Sequence, residues 1–128
     1  MLFRSGPRMS VARLVLATDA HPTAEQVWDA LRRAGEDVAR ATVYKALATL
    51  RDAGLVRTFR IEGRTVFDPR TEPHHHVVDV DTGAIVDLPP AALEVRGLDA
   101  LAGLEVVEHH VVVRARRAER RGDRAAGE

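Results

Sequence analysis

The chain has 128 residues, 45% of them hydrophobic, and no cysteine, which allows one compact domain or two very small ones and excludes disulfides, thiolate nucleophiles and cysteine-bound zinc. No apolar run approaches the roughly 18 residues that span a bilayer, and the opening MLFRSGPRMS lacks the apolar core of a secretory signal, so a cytoplasmic protein without a membrane partner is expected. The 19 basic and 19 acidic side chains cancel but are unevenly placed: 11 basic and 7 acidic in residues 1–66, 2 and 9 in 67–113, and 6 and 3 from 114 onward, as if one part faced a polyanion and the next a cation.

In chain order, MSVARLVLATDA carries Val11, Leu14 and Val15 at helical spacing. HPTAEQVWDALRRAG repeats the pattern with Ala24, Val27, Trp28 and Leu31; Thr23 and Gln26 form a capping box, and Gly35 is expected to stop the helix with positive φ. ARATVYKALATLRDAGL places Val43, Leu47 and Leu50 on one face and ends at Gly54. Two short helices joined by a turn at 35–38 predict a helix-turn-helix. The next stretch, LVRTFRIEGRTVFD, reads as a hairpin about Glu62-Gly63, the wing of a winged helix. DPRTEP, with Pro69 and Pro73, is the predicted hinge. Beyond it come a second hairpin (HHHVVDV, DTG, AIVDL), a short helix over PAALEVRGLDALAG, and one long β-branched strand over LEVVEHHVVVRA. The expected architecture is α+β: an N-terminal winged helix-turn-helix over 1–67, a hinge at 68–73, a small α/β dimerisation domain over 74–115, and a disordered tail over 116–128.

Opposite the apolar stripe of the third helix lie Ala41, Lys45 and Ala48, flanked by Thr42, Tyr44 and Arg51. Small residues admit the backbone to a major groove, Tyr44 can meet a thymine methyl or a phosphate, and Lys45 can reach a phosphate or a guanine edge. A solvated helix face is the bland alternative, and the hairpin that follows weighs against it. Arg57, Arg60 and Arg64 on that wing are placed to grip phosphates in a salt-dependent way.

Alternation along a strand puts His74 and His76 on one face and turns His75 and Asp79 away, while Asp87 on the partner strand is free to join the first face. Two histidines and a carboxylate suffice for a divalent ion, with bonds of roughly 2.0–2.2 Å. A polar sheet edge bearing solvated histidines is the competing reading.

HPTAEQVWDAL, ATVYKALATLRDAGLV and HHHVVDVDTGAIVDL, in that order and at those separations, resemble the ferric uptake regulator (Fur) family of metal-dependent bacterial repressors over about residues 8–113. The resemblance implies a homodimer on double-stranded DNA with an inverted-repeat operator and a regulatory iron(II) or manganese(II) ion. In the peroxide-sensing (PerR-like) branch the ligands fall on His21, Asp68, His74, His76 and Asp87. The last position is usually glutamate in the iron-uptake branch and aspartate in the peroxide-sensing branch, so Asp87 favours the latter. By the same resemblance, the ion ties the DNA-binding unit to the dimerisation unit and fixes the spacing of two recognition helices.

Three departures stand out. DVDT at 79–82 occupies the place of a Cys-x-x-C pair, so a four-cysteine structural zinc is not expected and the dimer should rest on the strand 104–113. Ala39 replaces a frequent capping serine, and the leading helix is short, which weakens the case for a phosphate contact near FRSGPR. His109 and His110 suggest a second metal site with His75, Glu94, Glu105 or Glu108, or, more simply, core or interface histidines. Two rivals to peroxide sensing remain: an iron- or manganese-uptake repressor, and a non-haem iron oxygenase, which would need open coordination positions and a pocket.

Overall fold

The computed structural model describes residues 2–3 and 6–118. The chain divides into two units, Met1–Pro73 and His74–Glu128.

The first unit holds helices α1 (Gly6–Ala17), α2 (Ala24–Arg33) and α3 (Arg40–Asp52), then strands β1 (Arg57–Ile61) and β2 (Arg64–Asp68). Each helix buries the stripe its spacing predicts: Val11 and Val15 from α1, Val27 and Leu31 from α2, Val43, Leu47 and Leu50 from α3, joined by Val56 and Phe67. Ala46 is also fully buried, so α3 meets its neighbours at close range. The capping box on α2 is complete: Thr23 Oγ1 accepts from Gln26 N at 3.2 Å, and Gln26 Oε1 accepts from Thr23 N at 2.9 Å. Such a cap contributes about 1 kcal/mol. Gly35 and Gly54 end α2 and α3 with φ of 82° and 75°, a region side chains with a Cβ disfavour. Trp28 Nε1 donates to the Val38 carbonyl at 2.9 Å, pinning the turn between α2 and α3. The wing is an antiparallel pair with Phe59 opposite Val66, and its turn residues Glu62 and Gly63 both have positive φ, as a type I′ hairpin requires.

The second unit holds β3 (His75–Asp79), β4 (Ile85–Leu88) and β5 (Val112–Ala115) in the order β4-β3-β5, with β4 antiparallel and β5 parallel to β3. Val78 and Ile85 are buried opposite one another. Two expectations fail here. The helix expected over PAALEVRGLDALAG is only two 3₁₀ turns, Pro90–Ala92 and Leu98–Ala100. Neither buries a residue, and Gly97 between them takes φ 87°, so no apolar face docks to offset the cost of nucleating a helix. The long strand is confined to β5; residues 104–110 form no strand in the single chain, and Leu104 and Val107 are 72% and 94% exposed. A strand exists only against a ladder partner, and β-branched composition does not supply one. Most of the tail expected to be disordered (119–128), and Arg4 and Ser5 of FRSGPR, lie outside the described residues; 116–118 have no regular structure.

Candidate metal centre and nucleic-acid interface

One backbone hydrogen bond assembles the first group of candidate ligands. Phe67 N donates to the Pro22 carbonyl at 2.9 Å, tying the loop before α2 to β2 and setting their neighbours, His21 and Asp68, side by side. His21 Nε2 lies 3.2 Å from Asp68 Oδ2, and both residues are buried. The other Asp68 oxygen accepts from Arg70 N at 2.9 Å, which fixes the carboxylate plane. His21 has φ 54°, a left-handed conformation that costs a residue with a Cβ about 1–2 kcal/mol and that Phe67 and Pro22 hold in place.

The second group belongs to the β3–β4 hairpin. Register places His76 directly opposite Asp87, and His74, two residues before His76, falls on the same face. His74 Nε2 and His76 Nε2 lie 3.1 and 3.3 Å from the same oxygen, Asp87 Oδ1, with the two rings 4.6 Å apart edge to face. His74 and His76 are buried and Asp87 is half-buried. Two imidazole nitrogens converging on one carboxylate oxygen out of solvent form a donor set suited to a borderline divalent cation, and buried groups of this kind are normally paired or bound to metal.

His75 faces away. Its Nδ1 accepts from Val111 N at 3.0 Å, and its ring lies 5.4 Å from that of His109. Burial holds its pKa below the ordinary histidine value, and the neighbouring imidazoles of His109, His74 and His76 add to the effect. His110 is directed elsewhere: its Nε2 sits 2.7 Å from His76 Nδ1. Glu94 is exposed and accepts from Arg96 Nε at 2.9 Å. Of the residues suggested for a second metal site, His75 has the rings of His109 and His110 5.4 and 6.4 Å from its own, His110 also meets His76, a candidate ligand of the first site, and Glu94 is engaged by Arg96. Asp79 also turns away, its Oδ1 accepting from Asp81 N and Thr82 N.

On α3, Tyr44 and Lys45 are exposed and Thr42 is half-buried. Arg60 and Arg64 on the wing line an open cleft of about 660 Å³ together with Tyr44, Ala48 and Arg51. Arg57 does not line it; it is half-buried, its guanidinium 5.1 Å from the Phe59 ring centre. Sequence reasoning missed Glu25, which accepts from the Tyr44 hydroxyl at 3.3 Å and pairs with Arg40 at 3.6 Å. No spacing rule links residues 25 and 44, because the turn between α2 and α3 brings them together.

A winged helix followed by a small sheet domain, with imidazole–carboxylate groups in both, defines a metal-responsive DNA-binding regulator. The comparisons agree. The model of the ferric uptake regulator family matches residues 4–114. The ferric uptake regulation protein of Pseudomonas aeruginosa is 37% identical over 116 residues, covering 87% of each chain. The solved structure of the Pseudomonas aeruginosa ferric uptake regulator with manganese superposes with a TM-score of 0.65 at 33% identity, over 91% of this chain and 90% of that one. The Campylobacter jejuni peroxide stress regulator superposes with a TM-score of 0.68 at 26% identity, over 88% and 87%. The chain belongs to the ferric uptake regulator family. It is a transcription regulator rather than an enzyme, which sets the oxygenase reading aside.

Proposed function

We propose that the protein is a dimeric, cytoplasmic repressor that binds an inverted-repeat operator when iron(II) or manganese(II) is held by His21, Asp68, His74, His76 and Asp87, and that it senses hydrogen peroxide. The observation that carries the metal assignment is the convergence of His74 Nε2 and His76 Nε2 on Asp87 Oδ1, at 3.1 and 3.3 Å. The buried His21–Asp68 pair of the winged-helix unit supports its inclusion in the ligand set. One ion drawing on both units would favour a single arrangement of the recognition helices, which is population shift by a ligand that prefers one state.

For peroxide sensing, the support is the aspartate at position 87 and the likeness to a peroxide stress regulator. Iron(II) held by these residues would activate hydrogen peroxide within their reach, with no net change in its own oxidation state. The ring of His21 or His74 then gains one oxygen atom at carbon and gives up two electrons, while the peroxide O–O bond breaks and the other oxygen leaves as water. A histidine so altered no longer serves as a ligand, and DNA is released. With no cysteine in the chain, the thiol route to redox sensing is closed.

The test combines anaerobic metal titration, operator binding and mass spectrometry after mild peroxide. Iron-loaded protein is expected to gain an oxygen on a peptide containing His21 or His74 and to lose operator binding in parallel; manganese-loaded protein is expected to do neither. Oxidation confined to methionine would favour the second reading, an uptake repressor, which the identity to a ferric uptake regulation protein supports. A His74→Ala variant should lose metal affinity and operator binding together while remaining a dimer; equal operator affinity for variant and parent in manganese would refute the site.

A further inference from the structure

Among the titratable groups of the second unit, His110 has no role in the five-ligand assignment, yet it makes a short polar contact with one of the candidate ligands. Its Nε2 lies 2.7 Å from His76 Nδ1, while His76 Nε2 faces Asp87 Oδ1 at 3.3 Å. The backbone next to it is held to β3 by two hydrogen bonds through Val111. His76 N donates to the Val111 carbonyl at 3.1 Å, and Val111 N donates to His75 Nδ1 at 3.0 Å. The His110 ring is half-buried and stands edge to face with that of His76, centres 4.9 Å apart. A side chain whose backbone is pinned this closely presents its nitrogen at a fixed point.

We propose that His110 is a positioning residue for the metal centre: it aims His76 Nε2 at the ion and receives the hydrogen bond that His76 Nδ1 must donate once Nε2 is a ligand. The inference rests on the assignment of His76 as a ligand. A neutral imidazole carries one N–H. Without metal, His76 Nε2 carries it toward the Asp87 carboxylate, and Nδ1 accepts from His110 Nε2–H. When Nε2 is committed to a cation, the hydrogen must sit on Nδ1, and His110 Nε2, 2.7 Å away, is placed to accept it. The His110 hydrogen then resides on its own Nδ1. Both rings change tautomer through exchange with solvent, and neither changes charge. Partners of this kind, one bond beyond the ligand, set the tautomer and orientation of metal-bound imidazoles, and their loss costs 10- to 100-fold in metal affinity.

The test uses the full-length dimer. Manganese(II) affinity is measured by competition for the parent, His74→Ala, His110→Phe and His110→Gln. Phenylalanine fills the ring's space without an acceptor, whereas glutamine offers an amide oxygen at similar reach. The expected result is a roughly 10- to 100-fold loss for His110→Phe, recovery of most of it in His110→Gln, and no change in dimer content or metal-free melting for either. Long-range ¹H–¹⁵N spectra of the zinc-loaded parent should show a hydrogen on Nδ1 of both His76 and His110. Affinity in His110→Phe equal to the parent, loss that His110→Gln does not restore, or a zinc-loaded His110 with its hydrogen on Nε2 would each overturn the positioning role. Parent-like affinity in His74→Ala would instead overturn the site assignment beneath it, so the two failures are separable.

Discussion

Helix α3, the candidate recognition helix, starts without a side-chain cap, and adding one tests both its stability and its placement. Ala39 has φ −69° and ψ 144°, the extended geometry that Thr23 uses to cap α2 at φ −77° and ψ 166°, and it is exposed, so a small polar side chain fits without rearrangement. Replacing alanine by a capping residue is worth about 0.5–2 kcal/mol. Thr42 N already donates to the Ala39 carbonyl at 3.0 Å, which argues for the lower half of that range, about 0.5–1 kcal/mol. For a unit of this size that is a rise in melting temperature of roughly 2–8 °C for Ala39→Ser. Ala39→Asp should add about 0.3–1 kcal/mol more by placing a negative charge at the positive end of the helix dipole. On DNA the order should reverse: Ala39→Ser binds as well as the parent, whereas Ala39→Asp sets a carboxylate against the phosphates and binds more weakly, most visibly at low salt. Calorimetry in chelator gives the first ranking and operator anisotropy in manganese gives the second. Variants that melt no higher than the parent would refute the capping argument. Undiminished operator affinity in Ala39→Asp would refute the approach of this helix end to DNA.

Three further outcomes are expected. Arg60→Ala and Arg64→Ala should each lower the slope of log affinity against log salt by about one, because both side chains line the cleft beside Tyr44, whereas Arg57→Ala, packed on Phe59, should change it less. The Asp79 carboxyl is held below its ordinary pKa chiefly by the Asp81 N–H, so its contribution to the β3–β4 turn is present above the unfolded carboxylate value and lost as pH falls through the folded one. The protection of the Thr82 amide against exchange, relative to its intrinsic rate at each pH, should therefore fall in acid in the parent, and Asp79→Asn, which keeps an acceptor but cannot titrate, should flatten that dependence. Finally, Leu104→Glu combined with Val107→Glu should shift the dimer toward monomer in sedimentation while leaving the three-helix unit folded, since both side chains are largely exposed in the single chain. A variant as dimeric as the parent would move the interface elsewhere.

What was legible in the sequence follows from periodicity and from local chemistry. The stripes of α1 to α3, the Thr23–Gln26 cap and the Glu62-Gly63 turn are decided within a few residues, and each appears where the spacing predicts. The alternation that separates His74 and His76 from His75 is equally local, and the turn at 79–83 sets the register that brings Asp87 opposite His76. Contacts that depend on distant pairing were not legible. The parallel register of β5 on β3 decides that His110, not His109, reaches His76, and nothing in HHVVV specifies it. The same applies to Glu25 beside Tyr44. The helix expected over 90–103 is reduced to two 3₁₀ turns because it has no surface to dock on, and the strand expected over 104–115 is reduced to Val112–Ala115 because 104–111 joins no sheet within one chain.

The run 104–108, LEVVE, is open and apolar in the single chain, and this makes it a liability before assembly. Extended, β-branched segments of five to seven residues are the ones that recruit stray strands and seed aggregates. Here Glu105 and Glu108 interrupt the apolar side chains at intervals of three, and both are exposed. Acids at such intervals act as gatekeepers: stacking many identical copies in register would align the carboxylates and repel, while a single pairing of two copies can offset or solvate them. The segment can thus carry enough apolar surface to hold a partner and still resist open-ended polymerisation while newly made chains wait to find one.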